Sequence, residues 1–428
     1  MRLSKTYTAF GLLIFLLMGS LLVAFSPDLP QQHTQAKSQC PYGTKLISEN
    51  FEGKAVCEIS GVLTHDLHLS SDLYWALNGE VHIGVDRVQN VALSIEAGTT
   101  VFGKTAKDFL VVNRGSKILA EGTKERPIVF TSKNDAAGLV AKPGEWGGLV
   151  IAGEARTNAK GGENSFEFSK KPIYYGGDND DDSSGVLRYV LVKYAGHIVY
   201  TAKELNGISF GGVGRGTEID YLEVYKGKDD GIELWGGTVN LKHIVLVDNG
   251  DDNLDVDEGY RGRIQYLYSS QSVEDAFYAR AVEADNNELE HDALPHTEPI
   301  ISNFEFVGGG YASEAIMLKN GAGIRLLNGK IKEFSQSCLA MESQSTLTNN
   351  MVHVQAVELE GCQSLYYGKK LPQESVEKIF TKEHSVGEDF DPTLVINPQS
   401  FDPFFEAVDY HGAYKNSNDW RIGWSILY

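Results

Sequence analysis

Carboxylates recur at matching positions in two short segments of the chain, GIEL (231–234) and NLDV (253–256). If strands formed by these segments lie side by side, Glu233 stacks on Asp255, and both side chains point outward. Stacked carboxylates about 5 Å apart repel each other, so each raises the pKa of the other. A hard cation held between them removes this repulsion, and Ca²⁺ accepts many oxygen ligands from flexible surroundings.

The same alignment brings further acids to this surface. It stacks Trp235 on Asp257 and places the aspartate pair at 229–230 beneath the pair at 251–252. Aspartates at turns often only accept hydrogen bonds from backbone amides, which is the alternative interpretation of the two pairs. That alternative fits less well for the acids within the strands, and we therefore predict a calcium site. Its predicted ligands are Asp230, Glu233, Asp252, Asp255 and Asp257.

A repeat of about 22 residues would bring these segments together. The second residues of four segments, Ile208, Ile232, Leu254 and Phe277, lie 24, 22 and 23 residues apart. The segments alternate polar and apolar residues with period two and are bounded by Gly, Asp and Asn, which indicates short strands. A unit of this size cannot bury its own apolar face, so stacked coils must share one core. The repeat therefore predicts a parallel β-helix. A second series of strands runs in step, in segments that begin at 187, 219, 241 and 264.

Longer motifs in the chain resemble those of a known group of proteins. They include GEWGGLVIAG (144–153), YYGGDNDDDSSGVLRYV, NGISFGGVGRGT, DDGIELWGGTV and the closing DWRIGWSILY. The first resembles the start of many secreted right-handed β-helix proteins of bacteria. The other four are similar to motifs of a poorly characterised group of secreted or surface β-helix proteins of Gram-negative bacteria. The resemblance covers roughly residues 60–428. It implies an all-β, right-handed parallel β-helix of the pectate-lyase-like fold, and it implies no activity, because β-helices include lyases, hydrolases and adhesins.

One coil further, the same alignment puts Tyr278 over Asp255 and Arg280 over Asp257. An arginine beside an acidic surface resembles the active site of pectate-lyase-like enzymes. In those enzymes Ca²⁺ neutralises a uronate carboxylate, and a basic side chain takes the α-proton. The segments DDGIEL and GDDNLDV also resemble the paired aspartates of polygalacturonases, which are inverting glycosidases. If the protein is an enzyme, these two resemblances point to Arg280, Asp252 and Asp255 as its catalytic residues. The alternative is an ion pair, in which Asp257 keeps Arg280 protonated and makes it a poor base. We therefore expect no lyase or hydrolase activity.

The N-terminus and the cysteines predict export. Arg2 and Lys5 precede an apolar run from Ala9 to Phe25, so residues 1–26 are expected to form a secretory signal peptide or an uncleaved anchor. We expect the protein to be exported from the cytoplasm of a Gram-negative bacterium and to be secreted, periplasmic or located on the cell surface. An even number of cysteines in an exported chain predicts disulfides, with two buried free thiols as the alternative for the second pair. The predicted pairs are Cys40 with Cys57 and Cys338 with Cys362.

The chain divides into four predicted parts. Residues 27–59 form a linker and a cysteine-containing cap, residues 60–362 form the β-helix, and residues 363–428 cap its far end. The cap contains a predicted short helix from Pro372 to Lys382. Two stretches depart from the repeat, at 154–186 and 281–300. The histidines of the second stretch match no firm zinc motif, so a polar loop is expected there.

The net charge of −20 excludes nonspecific binding to nucleic acid or to anionic membrane surfaces. Contact with a membrane is expected only through the N-terminal anchor. An acidic surface suits a cation, or a neutral or basic partner. The residues favour an exported, non-catalytic β-helix protein that binds a glycan or a surface protein through a cation-binding flank. The alternative is a Ca²⁺-dependent polysaccharide lyase or glycoside hydrolase, which would need more basic residues around its acids.

Overall fold

The computed structural model describes residues 40–166, 168–169, 171–200, 203–272 and 278–428. The predicted signal peptide or anchor lies outside the described residues, as does the linker up to residue 39. None of the helices formed by the described residues has the length and apolarity needed to span a membrane.

The described chain is built almost entirely from short strands. Before the acidic segments these are β1 (Lys45–Phe51), β2 (Lys54–Leu63), β3 (Leu67–Leu69), β4 (Tyr74–Ile83), β5 (Ala92–Ile95), β6 (Thr100–Gly103), β7 (Phe109–Val112), β8 (Lys117–Glu121), β9 (Ile128–Ser132), β10 (Gly148–Ala152), β11 (Glu163–Phe166), β12 (Ile173–Gly176), β13 (Gly185–Lys193), β14 (His197–Tyr200), β15 (Lys203–Leu205), β16 (Ile208–Gly211) and β17 (Glu218–Tyr225), with α1 (Lys133–Ala136) after β9.

The later strands are β18 (Ile232–Trp235), β19 (Asn240–Val247), β20 (Leu254–Asp257), β21 (Arg263–Ser270), β22 (Val282–Ala284), β23 (Ile300–Val307), β24 (Glu314–Leu318), β25 (Ile324–Lys332), β26 (Ser337–Met341), β27 (Val352–Glu360) and β28 (Ser364–Gly368). Two α-helices accompany them, α2 (Gln344–Thr348) and α3 (Gln373–Phe380), and two short 3-10 helices follow at Gly387–Asp389 and Pro398–Ser400.

Apart from β1 and the separate antiparallel hairpins β11–β12 and β14–β15, these strands stack in parallel as a right-handed β-helix with three sheets. The first sheet contains the second half of β4, then β7, β10, β16, β18, β20, β22, β24, β26 and β28. From β13 onward the long strands bend, so that their first halves form the second sheet and their second halves the third. The inward residues of all three sheets make one apolar core. Both the predicted fold and the stacking of the second series of strands are confirmed.

The predicted register holds for three coils and is wrong for the fourth. Ile208, Ile232 and Leu254 pair in parallel as expected. Leu254 then pairs with Val282, not with Phe277. The reason is that AFYA (276–279) and AVEA (281–284) have the same small apolar ends, so the period alone selects the wrong segment. Residues 273–277 lie outside the described residues.

Both predicted disulfides are confirmed. Cys40 bonds to Cys57 beside the antiparallel β1–β2 hairpin, which begins the solenoid. Cys338 bonds to Cys362 and joins the coil of β26 to the one that ends in β28.

The C-terminal region covers more than the end of the solenoid. Strand β28 adds to the first sheet, and α3 lies within the predicted helical segment and packs on β27 and β28. The chain then runs back along the coils. The Asn303 side chain donates to the carbonyl of Tyr410 (3.1 Å), and the Gln265 side chain donates to that of Glu406 (2.9 Å).

The last residues of this tail contact a fully buried carboxylate, Glu223 on β17. Its Oε2 accepts a hydrogen bond from the N–H of Ile426 (3.3 Å), and burial raises the pKa of Glu223 to about 7. When the pKa of an acid is higher in the folded protein than in the unfolded chain, the protonated acid favours the folded state. This stabilisation is complete below the pKa of the unfolded chain and is lost as the pH rises through the pKa of the folded protein. The tail contact should therefore weaken between about pH 5 and pH 8.

We predict that Glu223→Gln stabilises the protein at pH 8 by about 3 kcal/mol and changes little at pH 4. Glutamine keeps the acceptor for Ile426 and removes the charge that burial disfavours. Urea unfolding across this pH range is the measurement. Glu218→Gln, on the same strand but about half exposed, is the matched control. The prediction would be contradicted if the free energy of unfolding of Glu223→Gln changed with pH as steeply as that of the wild type.

Candidate metal centre and ligand cleft

Outward-facing carboxylates form a row across neighbouring strands of the first sheet. Glu233 on β18 pairs with Asp255 on β20, and Asp255 pairs with Glu283 on β22. In the next outward-facing row of the same strands, Trp235 pairs with Asp257. Asp285 follows β22 directly, and its charge acts on Asp257. Neighbouring strands lie about 4.8 Å apart, so the carboxylates repel each other as the sequence predicts.

The turns before these strands add two aspartate pairs. Asp230 Oδ1 accepts a hydrogen bond from the N–H of Asp252 (2.8 Å), and Asp252 Oδ1 accepts one from the N–H of Arg280 (2.7 Å). The turn aspartates therefore do bind backbone amides, as the alternative interpretation held. Each of these aspartates uses only one oxygen in this way. Oxygens of Asp230, Glu233 and Asp255 lie within 4.8 Å of one another, as do those of Asp229, Asp230 and Asp251.

These acids line a cleft of about 470 Å³, which we call the acidic cleft. Lys319 is the one basic residue among the described residues that line it. The carboxylates of the lining are Asp229, Asp230, Glu233, Asp251, Asp255, Asp257, Glu258, Glu283, Asp285 and Glu288.

Burial raises the pKa of all five predicted ligands well above the ordinary carboxyl value. Neighbouring carboxylates raise it further. Asp255 acts in this way on Glu233, Glu283 on Asp255, and Asp285 on Asp257. Protonation or a bound cation would therefore relieve the repulsion among these acids.

Two carboxylate oxygens in the acidic cleft are shielded from solvent and have no hydrogen-bond partner. They are Oδ1 of Asp255 and Oδ1 of Asp285. The side chain of Asp285 is buried (9% exposed), and its other oxygen accepts a hydrogen bond from Asn320 (2.7 Å). Buried polar atoms are rarely left unpaired. Two unpaired oxygens in the lining of one cleft are donors that a hard cation would take, and Asp255 also belongs to a group whose oxygens lie within 4.8 Å of one another, so the residues present fit Ca²⁺.

Three aromatic residues of the stretch at 154–186 pack with Trp235 of β18 and form an aromatic wall beside the acids; they are Phe166, Phe168 and Tyr175. The β11–β12 hairpin of this stretch folds over the first sheet and brings Phe166 to 5.0 Å from Trp235. A Cβ at Gly211 would lie 2.5 Å from the rings of both Phe166 and Tyr175, so the hairpin can approach only because that residue is glycine.

The two stretches that depart from the repeat contact each other. Asn158 of the first donates to the backbone oxygen of Asn286 (2.8 Å) and to that of Pro295 (3.2 Å) in the second. In the second stretch, His291 contacts Ser345. Among the described residues, the groups able to hold a metal consist only of aspartates and glutamates.

Residues 61–393 match the family model described as a pectate-lyase like beta helix domain. The chain belongs to this family. No curated protein and no solved structure matches it.

In this pectate-lyase-like β-helix, Arg280 does not lie over Asp257 as predicted. The partner of Asp255 is Glu283 rather than Tyr278, because the fourth coil is longer than the sequence alignment assumed. The Arg280 guanidinium instead lies between three carboxylates, at 2.6 Å from Glu283, 3.3 Å from Glu314 and 3.4 Å from Asp252. These acids raise the pKa of Arg280 against the effect of burial, so it stays protonated.

The misaligned coil also hid residues of the site from the sequence analysis. Glu283, Asp285 and Lys319 were missed, and Lys319 forms an ion pair with Glu283. A signal for the first two was present, since LDVDE (254–258) and VEADN (282–286) share alternating acids. The aromatic wall gave no such signal, because the hairpin reaches the sheet from a distant part of the chain.

Proposed function

We propose that this protein is an exported, non-catalytic β-helix that binds Ca²⁺ in its acidic cleft and, through the bound cation, a neutral glycan. The observation that carries the proposal is the pair of unpartnered, shielded oxygens on Asp255 and Asp285 within a group of ten carboxylates. The disulfides support export, because such bonds persist in oxidising compartments.

The donor set favours calcium over other cations. All the candidate ligands are carboxylate oxygens, which suit hard cations, whereas zinc and copper sites usually contain histidine or cysteine. The carboxylates come from separate turns and strands, so the site offers many oxygens without a strict octahedral arrangement. Ca²⁺ tolerates such surroundings better than Mg²⁺.

The shape and charge of the cleft favour a neutral sugar as the ligand. Trp235 lies in the same row as Asp257. The face of its indole ring can stack on the apolar face of a sugar ring. Hydroxyl oxygens of the same sugar can complete the coordination of a bound cation. A polyuronate is disfavoured, because the cleft holds ten carboxylates and one lysine.

The basic residues near the cleft do not favour a lyase. A lyase needs a base that loses its proton at the working pH. Arg280 and Lys319 both contact Glu283, and the nearby acids raise the pKa of each. We infer that both residues serve to hold the acids in place.

We predict that the protein binds neutral polysaccharides in millimolar Ca²⁺, and that Trp235→Ala weakens this binding at least about tenfold. Affinity electrophoresis through mannan, xylan and β-glucan, with polygalacturonate as the anionic comparison, is the measurement. Tyr174→Ala changes an exposed ring of the β11–β12 hairpin and serves as the control. Chelator should abolish the retardation. Binding to none of the neutral polymers, binding that ignores chelator, or stronger binding to polygalacturonate would refute the glycan proposal.

A further inference from the structure

A second groove, distinct from the acidic cleft, is lined by four arginines in a chain of net charge −20. It has a volume of about 620 Å³ and lies at the corner where strands of the first sheet turn into the second. We call it the arginine groove. Its polar lining consists of Arg215, Thr238, Asn240, Arg261, Arg263, Glu298, Arg325 and Asp402.

The coils of the solenoid place the four arginines in two rows. Arg263 pairs with Ile300, which pairs with Arg325, so these two arginines start strands that lie two coils apart. That separation is about 10 Å. In the turns beside them, the N–H of Arg215 donates to the Thr238 hydroxyl (3.1 Å), and Arg261 lies one coil further along. The guanidinium groups therefore reach the groove from several directions.

Two of these arginines have structural roles. Arg261 donates to Asp180 in the 154–186 stretch (2.6 Å), and Arg263 donates to Asp402 in the C-terminal tail (3.0 Å). Each holds a distant segment of the chain against the solenoid. These ion pairs explain why Arg261 and Arg263 are present, and they do not explain the other two arginines.

Arg215 and Arg325 are held far less firmly. Arg215 contacts the carboxylate of Asp181 at 3.0 Å, and because Asp181 is 81% exposed, this pair stabilises the protein little. The two contacts of the Arg215 side chain with Asp180 are long, at 3.4 Å to the backbone oxygen and 4.0 Å to the carboxylate. Arg325 has no carboxylate within 4.0 Å among the described residues. Its guanidinium instead lies 4.8 Å from the ring of Phe401, which fixes its position and leaves its N–H groups unused.

We propose that the arginine groove binds a tetrahedral dianion, the phosphate or sulfate group of a monoester or the free ion. A carboxylate is planar and is satisfied by one guanidinium, whereas a dianion offers three or four oxygens to donors that arrive from different directions. The net negative charge of the molecule disfavours a long polyanion, which would also approach its acidic surfaces. The proposal is independent of the calcium site.

The test is calorimetric titration of the full chain with inorganic phosphate, glucose 1-phosphate and galacturonate, after removal of divalent cations. Phosphate and glucose 1-phosphate should bind with saturation and more tightly than galacturonate. Arg215→Ala combined with Arg325→Ala should weaken binding at least about tenfold, as expected for losing charge-assisted hydrogen bonds. Arg126→Ala, which removes another half-exposed arginine, should change nothing.

Circular dichroism and the melting temperature show whether the double variant stays folded, and Arg325→Gln replaces Arg325→Ala if it does not. Tighter binding of glucose 1-phosphate would indicate an ester as the ligand, and equal binding would indicate the free ion. Either result supports the proposal. Absence of saturable phosphate binding, equal affinity in the double variant, or preference for galacturonate would overturn it.

Discussion

Glu233→Gln combined with Asp255→Asn is expected to stabilise the protein in chelator by about 2–4 kcal/mol and to abolish its stabilisation by calcium. Without a cation, both carboxylates are half-buried next to other acids, and this environment disfavours the charged form. The amides have nearly the same shape and carry no charge. The same change thus removes the repulsion and the calcium ligands.

Urea unfolding in chelator and in millimolar Ca²⁺ measures both effects. Glu121→Gln combined with Asp178→Asn makes the same chemical change at exposed positions. It should change neither the stability in chelator nor the stabilisation by calcium. If the cleft variant is less stable than the wild type in chelator, the carboxylates contribute favourable contacts of their own. If it keeps the response to calcium, the cation binds elsewhere.

Arg280→Ala is expected to destabilise the protein by about 3–5 kcal/mol. The side chain is 17% exposed and contacts Asp252, Glu283 and Glu314, whose side chains are even more buried. Removing the guanidinium leaves three acids without their shared cation. Breaking such a buried ionic group is far more harmful than removing a surface charge.

Thermal and urea unfolding at neutral pH compare this variant with Arg126→Ala, which should stay within about 0.5 kcal/mol of the wild type. A loss of less than about 1 kcal/mol for Arg280→Ala would show that the three acids are neutralised in another way. The structural role assigned to Arg280 would then be wrong, and a functional role for this residue would deserve a direct assay.

Much of the fold could be predicted because a solenoid repeats its own pattern. The spacing of Ile208, Ile232 and Leu254, together with alternation of period two, was enough to give parallel strands in the right register. The same logic failed where a coil changed length. AFYA (276–279) fits the period, and AVEA (281–284) fits the core, and the sequence alone did not distinguish them.

The candidate site was predictable in the part that follows the repeat. All five predicted ligands line or border one cleft, because stacking dictates which side chains become neighbours. The aromatic wall depends on a hairpin that returns to the sheet, and the arginine groove depends on the corners of several coils. Local periodicity carries no information about such contacts. The tail along the coils was missed for the same reason.

The most direct test of the calcium site is a calorimetric titration of the full chain with Ca²⁺ at pH 7, in two buffers of different ionisation enthalpy. Burial and neighbouring acids raise the pKa of Asp230, Glu233 and Asp255, so these groups take up protons more readily than ordinary carboxyls and must lose them to bind a cation. We predict saturable binding of at least one Ca²⁺ per chain, with release of protons to the buffer. A titration without saturable heat, or binding that releases no protons, would contradict the assignment of these carboxylates as a calcium site.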